Sequence, residues 1–205
     1  MLNITKKQKM LKRKKAEKGL SLIEASMVLA LSAIVVSGVM FYYQSASDSN
    51  KTQNTVSEVM SVMSAINGLY VGQSSYTGLS DSVLYNSSAV PANYKGTSGI
   101  INNPFGGRLH VAPNTNQAGG YALLLDGVPQ SSCVNIASMN LGTSLQGVGV
   151  KVSSMTQGTS SVSLAPKAIG SGTVSPGEVY SGNLTPANAA TLCKDETNSI
   201  TFLMK

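Results

Sequence analysis

Residues 18–43 read KGLSLIEASMVLALSAIVVSGVMFYY, and this stretch constrains the protein more than any other. The run from Ala25 to Tyr43 contains no charged residue. Together with residues 20–23 it is long enough to cross a bilayer, which takes about 20 apolar residues. Glu24 lies near the start of this run. Because an ionised carboxylate inside the bilayer costs on the order of 2.5 to 3.5 kcal/mol by insertion scales, we expect Glu24 to have a partner and a function.

Basic residues are concentrated directly before the apolar run. Eight of them lie in the first 19 residues: Lys6, Lys7, Lys9, Lys12, Arg13, Lys14, Lys15 and Lys18. The positive-inside bias therefore predicts a cytoplasmic N-terminus and places everything after Tyr43 on the other side of the membrane. The alternatives are a plain single-pass anchor and a conventional secretory signal cut near Ser45-Ala46-Ser47, whose apolar region would be only about 7 to 15 residues long. Neither alternative accounts for Gly19 and Glu24.

The formal charge of +6 is confined to the N-terminal segment. The first 19 residues carry eight basic residues and one acid, Glu17, which leaves seven basic and eight acidic residues for the rest of the chain. The part beyond the membrane shows no basic stripe and no motif for bases or phosphates. The sequence therefore excludes the electrostatic pattern of a nucleic-acid-binding protein.

Residues 48–205 follow the apolar run and are numerous enough for one core of ordinary size. Cys133 and Cys193 both lie in this part, in a compartment where disulfides persist. A bond between them would close a loop of about 61 residues and stabilise the fold by roughly 4 kcal/mol; two free thiols are the alternative. The even count, without His or acidic neighbours at ligand spacing, argues against a metal site.

Helical periodicity continues past the apolar run. Apolar residues recur at three- and four-residue steps at Val56, Val59, Met60, Met63, Ile66 and Tyr70. No proline lies between Leu20 and Gly72, so we predict one helix of about 53 residues over this range. Ser37-Gly38 is its weakest point, because glycine costs about 1 kcal/mol in a helix interior.

The remaining chain predicts a mixture of short elements. Residues 72–104 show no clear period and predict an irregular connection, followed by a turn at 103–107. Thr185-Pro186 is a helix start, with threonine as the cap and proline at the first position. The other elements are helices over 129–141 and from 186 to Cys193, and strands over 109–111, 121–125, 147–152 and 200–204. The fold class is therefore α+β, with one sheet packed against the long helix.

Four segments carry a resemblance to a known family. They are Gly19 followed by LSLIE, the run VMFYYQSASDSNK over 39–51, the turn NPFGG over 103–107, and TPA over 185–187 leading to Cys193. The chain resembles the type IVb major pilins of the bundle-forming and longus group of Gram-negative enteric bacteria. The resemblance is strong over residues 18–72 and patchy to the C-terminus. Leu rather than Phe after Gly19, and a 19-residue leader, also match the IVb class.

The resemblance implies a processing pathway and a fold. It implies a leader over 1–19, a hydrophobic helix half over 20–47 in the membrane and fibre core, and a periplasmic or extracellular head over 48–205. It also implies cleavage between Gly19 and Leu20, N-methylation of the Leu20 amine and a Cys133–Cys193 disulfide. The implied fold is a long helical spine packed against an antiparallel sheet, with a central strand from the C-terminal segment. Opposite charges attract strongly in a low dielectric, so we expect Glu24 of an incoming subunit to pair with the Leu20 amine of its neighbour.

The function implied is that of a major structural subunit of a pilus used for adhesion, bundling or microcolony formation. The implied partners are copies of the chain in a helical homopolymer, the prepilin peptidase, the inner-membrane assembly machinery, the outer-membrane secretin, minor pilins, and host cells or neighbouring pili. A minor pilin or pseudopilin of a secretion or DNA-uptake machine is the alternative. No catalytic or cofactor motif is recognisable, and His110, in an alternating strand, is interpreted as structural or solvent-facing.

Overall fold

The long helix predicted at the N-terminus is present. The structure is a computed structural model that describes residues 21–88, 90–116, 120–170 and 173–205. Helix α1 spans Leu22–Leu69, 48 residues without interruption at Ser37-Gly38. It ends three residues before Gly72, whose positive φ of 80° takes the backbone out of the helical region.

The chain divides into two units, Met1–Tyr43 and Gln44–Lys205. In the described part of the first unit, the helix is apolar all round, and its large side chains are exposed. Among the described residues, α1 is the one helix long and apolar enough to cross a membrane. In the second unit, α1 buries Thr55, Glu58, Val59, Val62 and Ile66, which are three or four residues apart and form one face.

An antiparallel sheet forms the centre of the second unit, which we call the head. Its strands within the described residues are β1 (Ile101–Asn102), β2 (Arg108–Asn114), β3 (Gly120–Pro129), β4 (Leu145–Val150), β5 (Val179–Ser181) and β6 (Thr197–Met204). They lie in the order β1-β2-β3-β6-β4-β5. The C-terminal strand β6 therefore sits between β3 and β4, as the resemblance implied.

Besides three 3-10 turns, the described part of the head contains three short α-helices: α2 (Asp81–Tyr85), α3 (Gln130–Ala137) and α4 (Pro186–Leu192). The predicted cap of α4 is present, with Thr185 Oγ1 accepting the backbone N–H of Asn188 at 3.2 Å. Helix α3 is shorter than predicted. It stops at Ala137 because the chain turns at Asn140, whose side chain accepts the N–H of Gly142.

The turn predicted at residues 103–107 is held by one buried side chain. Asn103 Oδ1 accepts the N–H groups of Phe105 and Gly107 at 3.0 and 3.1 Å, and its Nδ2 donates to the carbonyl of Asp126 at 2.6 Å. A Cβ on Gly107 would lie 1.9 Å from that carbonyl oxygen. Position 107 therefore requires glycine, because the backbone of the turn lies directly against β3 where its register shifts between Leu125 and Val128.

Both faces of the sheet are covered. The side chains on one face pack in a single hydrophobic core with Val59, Val62 and Ile66 of α1. The other face is covered by residues 152–170, an extended segment without helix or strand that we call the strap. Its side chains Val152, Met155, Val162 and Leu164 pack with Ala112, Ala122, Leu124, Val179 and Leu203 of the sheet. This explains why six consecutive residues of β3, 120–125, are buried.

Backbone pairing attaches the strap to two strands. Near β2, the N–H of Val162 donates to the carbonyl of Pro113 at 3.0 Å, and the N–H of Thr115 donates to the carbonyl of Val162 at 2.7 Å. Near β5, Lys167 pairs in parallel with Tyr180. Asn114 adds a side-chain clamp, accepting the N–H of Leu164 at 2.9 Å and donating to its carbonyl at 3.0 Å. The polar groups of this extended backbone are thereby satisfied where it lies against a buried surface.

A disulfide joins α3 to the end of α4. Cys133 and Cys193 are bonded with their Cα atoms 5.9 Å apart, 60 residues apart in sequence. Both side chains are buried in the core that contains α1. The bond that the resemblance implied is thus present, and it links two short helices that also pack in the core.

Glu58 is an unusual member of the α1 face. It is 3% exposed, and neither carboxylate oxygen has a hydrogen-bond partner within the part of the chain that the structure describes. Burial raises the pKa of Glu58 from 4.5 to about 8. The folded head therefore holds Glu58 protonated at neutral pH, where the unfolded chain would have it ionised.

Breaking the disulfide should destabilise the head. We expect Cys193→Ser to lower the free energy of unfolding by up to roughly 4 kcal/mol, because the unfolded chain regains the entropy of a long loop. Thermal unfolding of the full chain in detergent micelles, with and without reductant, measures this. The Cys133→Ser/Cys193→Ser double variant is the control and should match the reduced wild type. An unchanged melting temperature in Cys193→Ser would show that the bond contributes nothing.

Glu58 should make stability decrease with rising pH. Since its folded-state pKa lies above its unfolded value, folding takes up a proton, and the free energy of unfolding falls between about pH 4.5 and 8. We expect Glu58→Gln to flatten this slope in urea unfolding of the full chain in detergent. Glu178→Gln is the control. The pKa of Glu178 is lowered by the hydrogen bond from Lys167, so its contribution is lost only as the pH falls. An unchanged slope in Glu58→Gln contradicts the prediction.

Candidate assembly site in the N-terminal helix

The predicted site residues at the N-terminus lie partly outside the described part of the chain. Gly19 and Leu20, expected to flank a cleavage site, and Leu20 as a site of N-methylation, belong to the first 20 residues, which the structure does not describe. Glu24 is described. The structure therefore gives the surroundings of the expected assembly residue.

Glu24 caps the helix in which it lies. Ser21 directly precedes the first helical residue, Leu22, and its backbone N–H donates to Oε2 of Glu24 at 3.0 Å. Ser21 and Glu24 thus form one half of a capping box, in which the third helical residue satisfies an otherwise unpaired N–H. The pattern Ser21-x-x-Glu24 is a sequence signal for this cap, separate from the cost of the acid in the membrane.

The carboxylate of Glu24 has no ionic partner among the described residues, whose three salt bridges all lie in the head. It is also the only charged side chain between residues 21 and 43. A backbone N–H satisfies one lone pair of the carboxylate and complements the positive end of the helix dipole, but it does not neutralise the charge. The site can therefore accept a cation.

The serine side chains in the apolar part of α1 are satisfied by the helix itself. The hydroxyls of Ser26, Ser32 and Ser37 donate to the carbonyls of Ile23, Val28 and Ala33 at 2.7 to 2.8 Å. Such back-bonding removes the cost of a free hydroxyl in an apolar medium. The outer surface of residues 22–43 is left to large apolar side chains that are 57–89% exposed.

The head offers no competing chemical centre in the part of the chain that the structure describes. No group of three or more His, Cys, Asp or Glu residues there could hold a metal ion. His110 lies in β2, as the alternation predicted, and its ring is 4% exposed and bonded to Asp81 and to a backbone carbonyl. Its role is therefore structural.

Comparison with known proteins identifies relatives along nearly the whole chain. The Bundlin family model matches residues 44–201. Two proteins described as the major structural subunit of bundle-forming pilus, from Escherichia coli O111:H- and Escherichia coli O127:H6 (strain E2348/69 / EPEC), are each 55% identical over 196 residues, which cover 94% of this chain and 96% of theirs.

A solved structure is also similar, at lower identity. It is TcpA, a type IV pilin from Vibrio cholerae El Tor biotype, which matches 76% of this chain and 99% of its own with 20% identity and a TM-score of 0.48. That likeness is too weak to add to the family assignment. The family model and the 55% identical relatives are sufficient: the chain belongs to the Bundlin family.

Proposed function

We propose that this chain is the major structural subunit of a pilus, assembled as an extracellular fibre of many copies. The observation that carries the proposal is the 55% identity, over 94% of the chain, to two proteins described as the major structural subunit of bundle-forming pilus. Both relatives are described as major subunits, which favours that role over a minor pilin or a pseudopilin. The abundance of the chain in fibres sheared from the cell surface distinguishes these roles.

The subunit is made as a membrane-anchored precursor. The basic leader, residues 1–19, stays in the cytoplasm, residues 20–47 enter the inner membrane, and residues 48–205 form the head in the periplasm. The prepilin peptidase cuts between Gly19 and Leu20, and the new Leu20 amine is methylated. The internally bonded serines and exposed apolar surface of residues 22–43 support the membrane stage, because such a surface is stable in lipid but not in water.

Polymerisation replaces the lipid with other copies of the chain. Once a subunit leaves the bilayer, the apolar surface of residues 22–43 must be covered, and copies of the same helix offer the same apolar chemistry. We infer that these helices form the fibre centre. Assembly requires the inner-membrane machinery, the outer-membrane secretin and minor pilins, and the finished fibre contacts host cells or neighbouring pili during adhesion, bundling or microcolony formation.

Glu24 supplies the electrostatic contact for assembly. Cleavage before Leu20 creates an amine one residue ahead of Ser21, whose N–H the Glu24 carboxylate accepts. The carboxylate of an incoming subunit and the Leu20 amine of its neighbour are opposite charges in a low dielectric, where an unpaired charge is costly and a pair is attractive. The local cap and this ionic contact are separable, since the cap needs an acceptor atom and the ionic contact needs a charge.

Processing should depend on a small residue at position 19. We expect Gly19→Glu to leave the basic leader attached, because a bulky charged side chain blocks entry of the cleavage site into the peptidase, and surface fibres should be absent. Intact-mass measurement of the membrane-extracted chain reports leader removal and methylation together. Gly19→Ala is the matched control and should retain more cleavage than Gly19→Glu. Normal cleavage of Gly19→Glu would contradict the proposal that the prepilin peptidase cuts between Gly19 and Leu20.

Glu24 should be needed for fibre growth but not for folding. We expect Glu24→Val to leave insertion, cleavage and head folding intact, and to accumulate as processed monomer in the inner membrane with little sheared fibre. The apolar replacement removes the cost of an intramembrane acid, so a purely monomeric role predicts the opposite result, normal or improved yield. Quantifying processed chain in membrane and sheared fractions measures both.

Glu24→Gln separates the two roles of the side chain. Glutamine can accept the N–H of Ser21, as in the Gln form of the capping box, but it carries no charge. If assembly needs the ionic pair, Glu24→Gln fails in the same way as Glu24→Val. If the helix cap is the whole function, Glu24→Gln gives wild-type fibre, and the pairing is rejected.

A further inference from the structure

His110 connects three separate segments of the head. It is the only histidine in the chain. In β2, its Nδ1 is 2.5 Å from Oδ2 of Asp81 in α2, and its Nε2 is 3.0 Å from the carbonyl oxygen of Thr159 in the strap. The side chain is almost fully buried. The ring is therefore a point at which α2, the sheet and the strap are held together.

Both groups that face the ring are hydrogen-bond acceptors. The carbonyl of Thr159 cannot donate, so Nε2 must carry a hydrogen. The Asp81 carboxylate already accepts the N–H of Val111 through Oδ1 at 2.8 Å, and its contact with Nδ1 needs a second proton, whether on the ring or on the carboxyl. A neutral imidazole has only one N–H. The pair therefore holds one proton more than a neutral histidine beside an ionised aspartate.

We propose that the Asp81–His110 pair is a pH-sensitive latch that holds the first part of the strap, residues 152–160, on the sheet. When the pair loses its extra proton, the ring keeps one N–H. The hydrogen bond to the ionised Asp81 carboxylate is the stronger of the two contacts, so Nδ1 keeps the hydrogen, Nε2 is left facing the carbonyl of Thr159, and that contact breaks. The latch is thus closed while the pair holds this proton and opens when a rise in pH removes it. This role does not depend on the proposed function.

The charges around the ring leave Asp81 as its ionic partner. Arg108, two residues earlier in β2, donates to Oε1 of Gln157 at 2.7 Å, and Nε2 of Gln157 donates to Oδ2 of Asp126 at 3.0 Å. Arg108 and Asp126 are therefore occupied with each other through Gln157. The strap has no charged side chain before Lys167, and residues 97–99 have none. A pocket of about 570 Å³ borders the ring and gives water access to it.

The second part of the strap is held without a titrating group. Val162 is paired through its backbone with Pro113 and Thr115, and Leu164 is clamped by the side chain of Asn114. Amide, carbonyl and carboxamide groups do not change protonation near neutral pH. Opening of the latch should therefore loosen residues 152–160 and leave residues 162–164 in place.

The single histidine makes the latch measurable in the full chain in detergent micelles, prepared without a histidine tag. Nitrogen-15 NMR of the ring reports its protonation, and amide hydrogen exchange reports opening of the strap. As the ring loses its proton, we expect exchange at Met155 and Thr159, corrected for intrinsic pH dependence, to rise about tenfold to a hundredfold, the range for losing one charge-assisted hydrogen bond. Exchange at Val162 and Leu164 should not follow.

Two variants test the pair itself. Asp81→Asn keeps an acceptor for the N–H of Val111 but removes the charge, so the pH-dependent change in exchange at Thr159 should disappear. Asp126→Asn is the control: it removes a nearby carboxylate that does not touch the ring, so the pH-dependent change in exchange at Thr159 should persist. Two results would overturn the latch: protection of Thr159 in the wild type that stays unchanged across the titration of the pair, or an unchanged pH dependence in Asp81→Asn. The wild-type titration decides the question even if Asp81→Asn does not fold.

Discussion

The head depends on covering both faces of one antiparallel sheet. Strands β3 and β6 lie in the middle of the sheet, and their side chains are buried on both sides. Without the strap, Leu124 and Leu203 would be exposed to water, and without α1, Tyr121 and Phe202 would be. Each large apolar side chain left exposed loses roughly 1.5 to 3 kcal/mol of stabilising burial free energy. Helix α1 covers one face with a regular apolar stripe. The strap covers the other without any regular secondary structure of its own, so its backbone must be satisfied by the sheet and by side chains.

Side-chain amides and one histidine meet that requirement. Asn114 bonds both backbone groups of Leu164, Asn103 closes the turn against β3, and His110 reaches the carbonyl of Thr159. In each case a buried polar side chain substitutes for a missing strand partner. Glu58 differs from these side chains, because it is buried without a hydrogen-bond partner among the described residues and remains inside by staying protonated. The head thus combines side chains that bond the strap backbone with buried groups that lack a partner in the described structure, among them the Glu58 carboxyl and the hydroxyls of Tyr121 and Thr201.

The N-terminal part of α1 is subject to a different constraint. Its surface suits lipid or other apolar helices, and its serine hydroxyls are bonded back to the helix. Glu24 is the one charge in residues 21–43, and it lies at the helix start, where the dipole and the N–H of Ser21 stabilise it in part. Retaining a charge that only partial interactions stabilise is consistent with a group kept for a contact with another molecule.

Local sequence determined the elements whose patterns are local. The uninterrupted apolar run and helical period predicted α1 to within three residues of its end, the threonine-proline pair predicted the start of α4, and the asparagine-glycine turn was recognisable from composition. The family resemblance supplied the disulfide and the central C-terminal strand. The capping role of Glu24 is also a local pattern, Ser21-x-x-Glu24, but the prediction for Glu24 rested only on its charge in an apolar segment.

Tertiary structure decided what depends on residues distant in sequence. Residues 152–170 are rich in serine and have no period, because their conformation is set by the sheet they cover and not by their own pattern. The length of β3 was underestimated for another reason. Its last residues, 126–129, include Gly127 and Pro129 and follow an irregular step after Leu125, so their sequence is typical of a turn. The partners of His110 and the burial of Glu58 are invisible in sequence, because Asp81 and Thr159 are 29 and 49 residues away from the ring. Local propensity specifies helices and turns, whereas the pairing of distant polar groups exists only once the sheet and its two covers have formed.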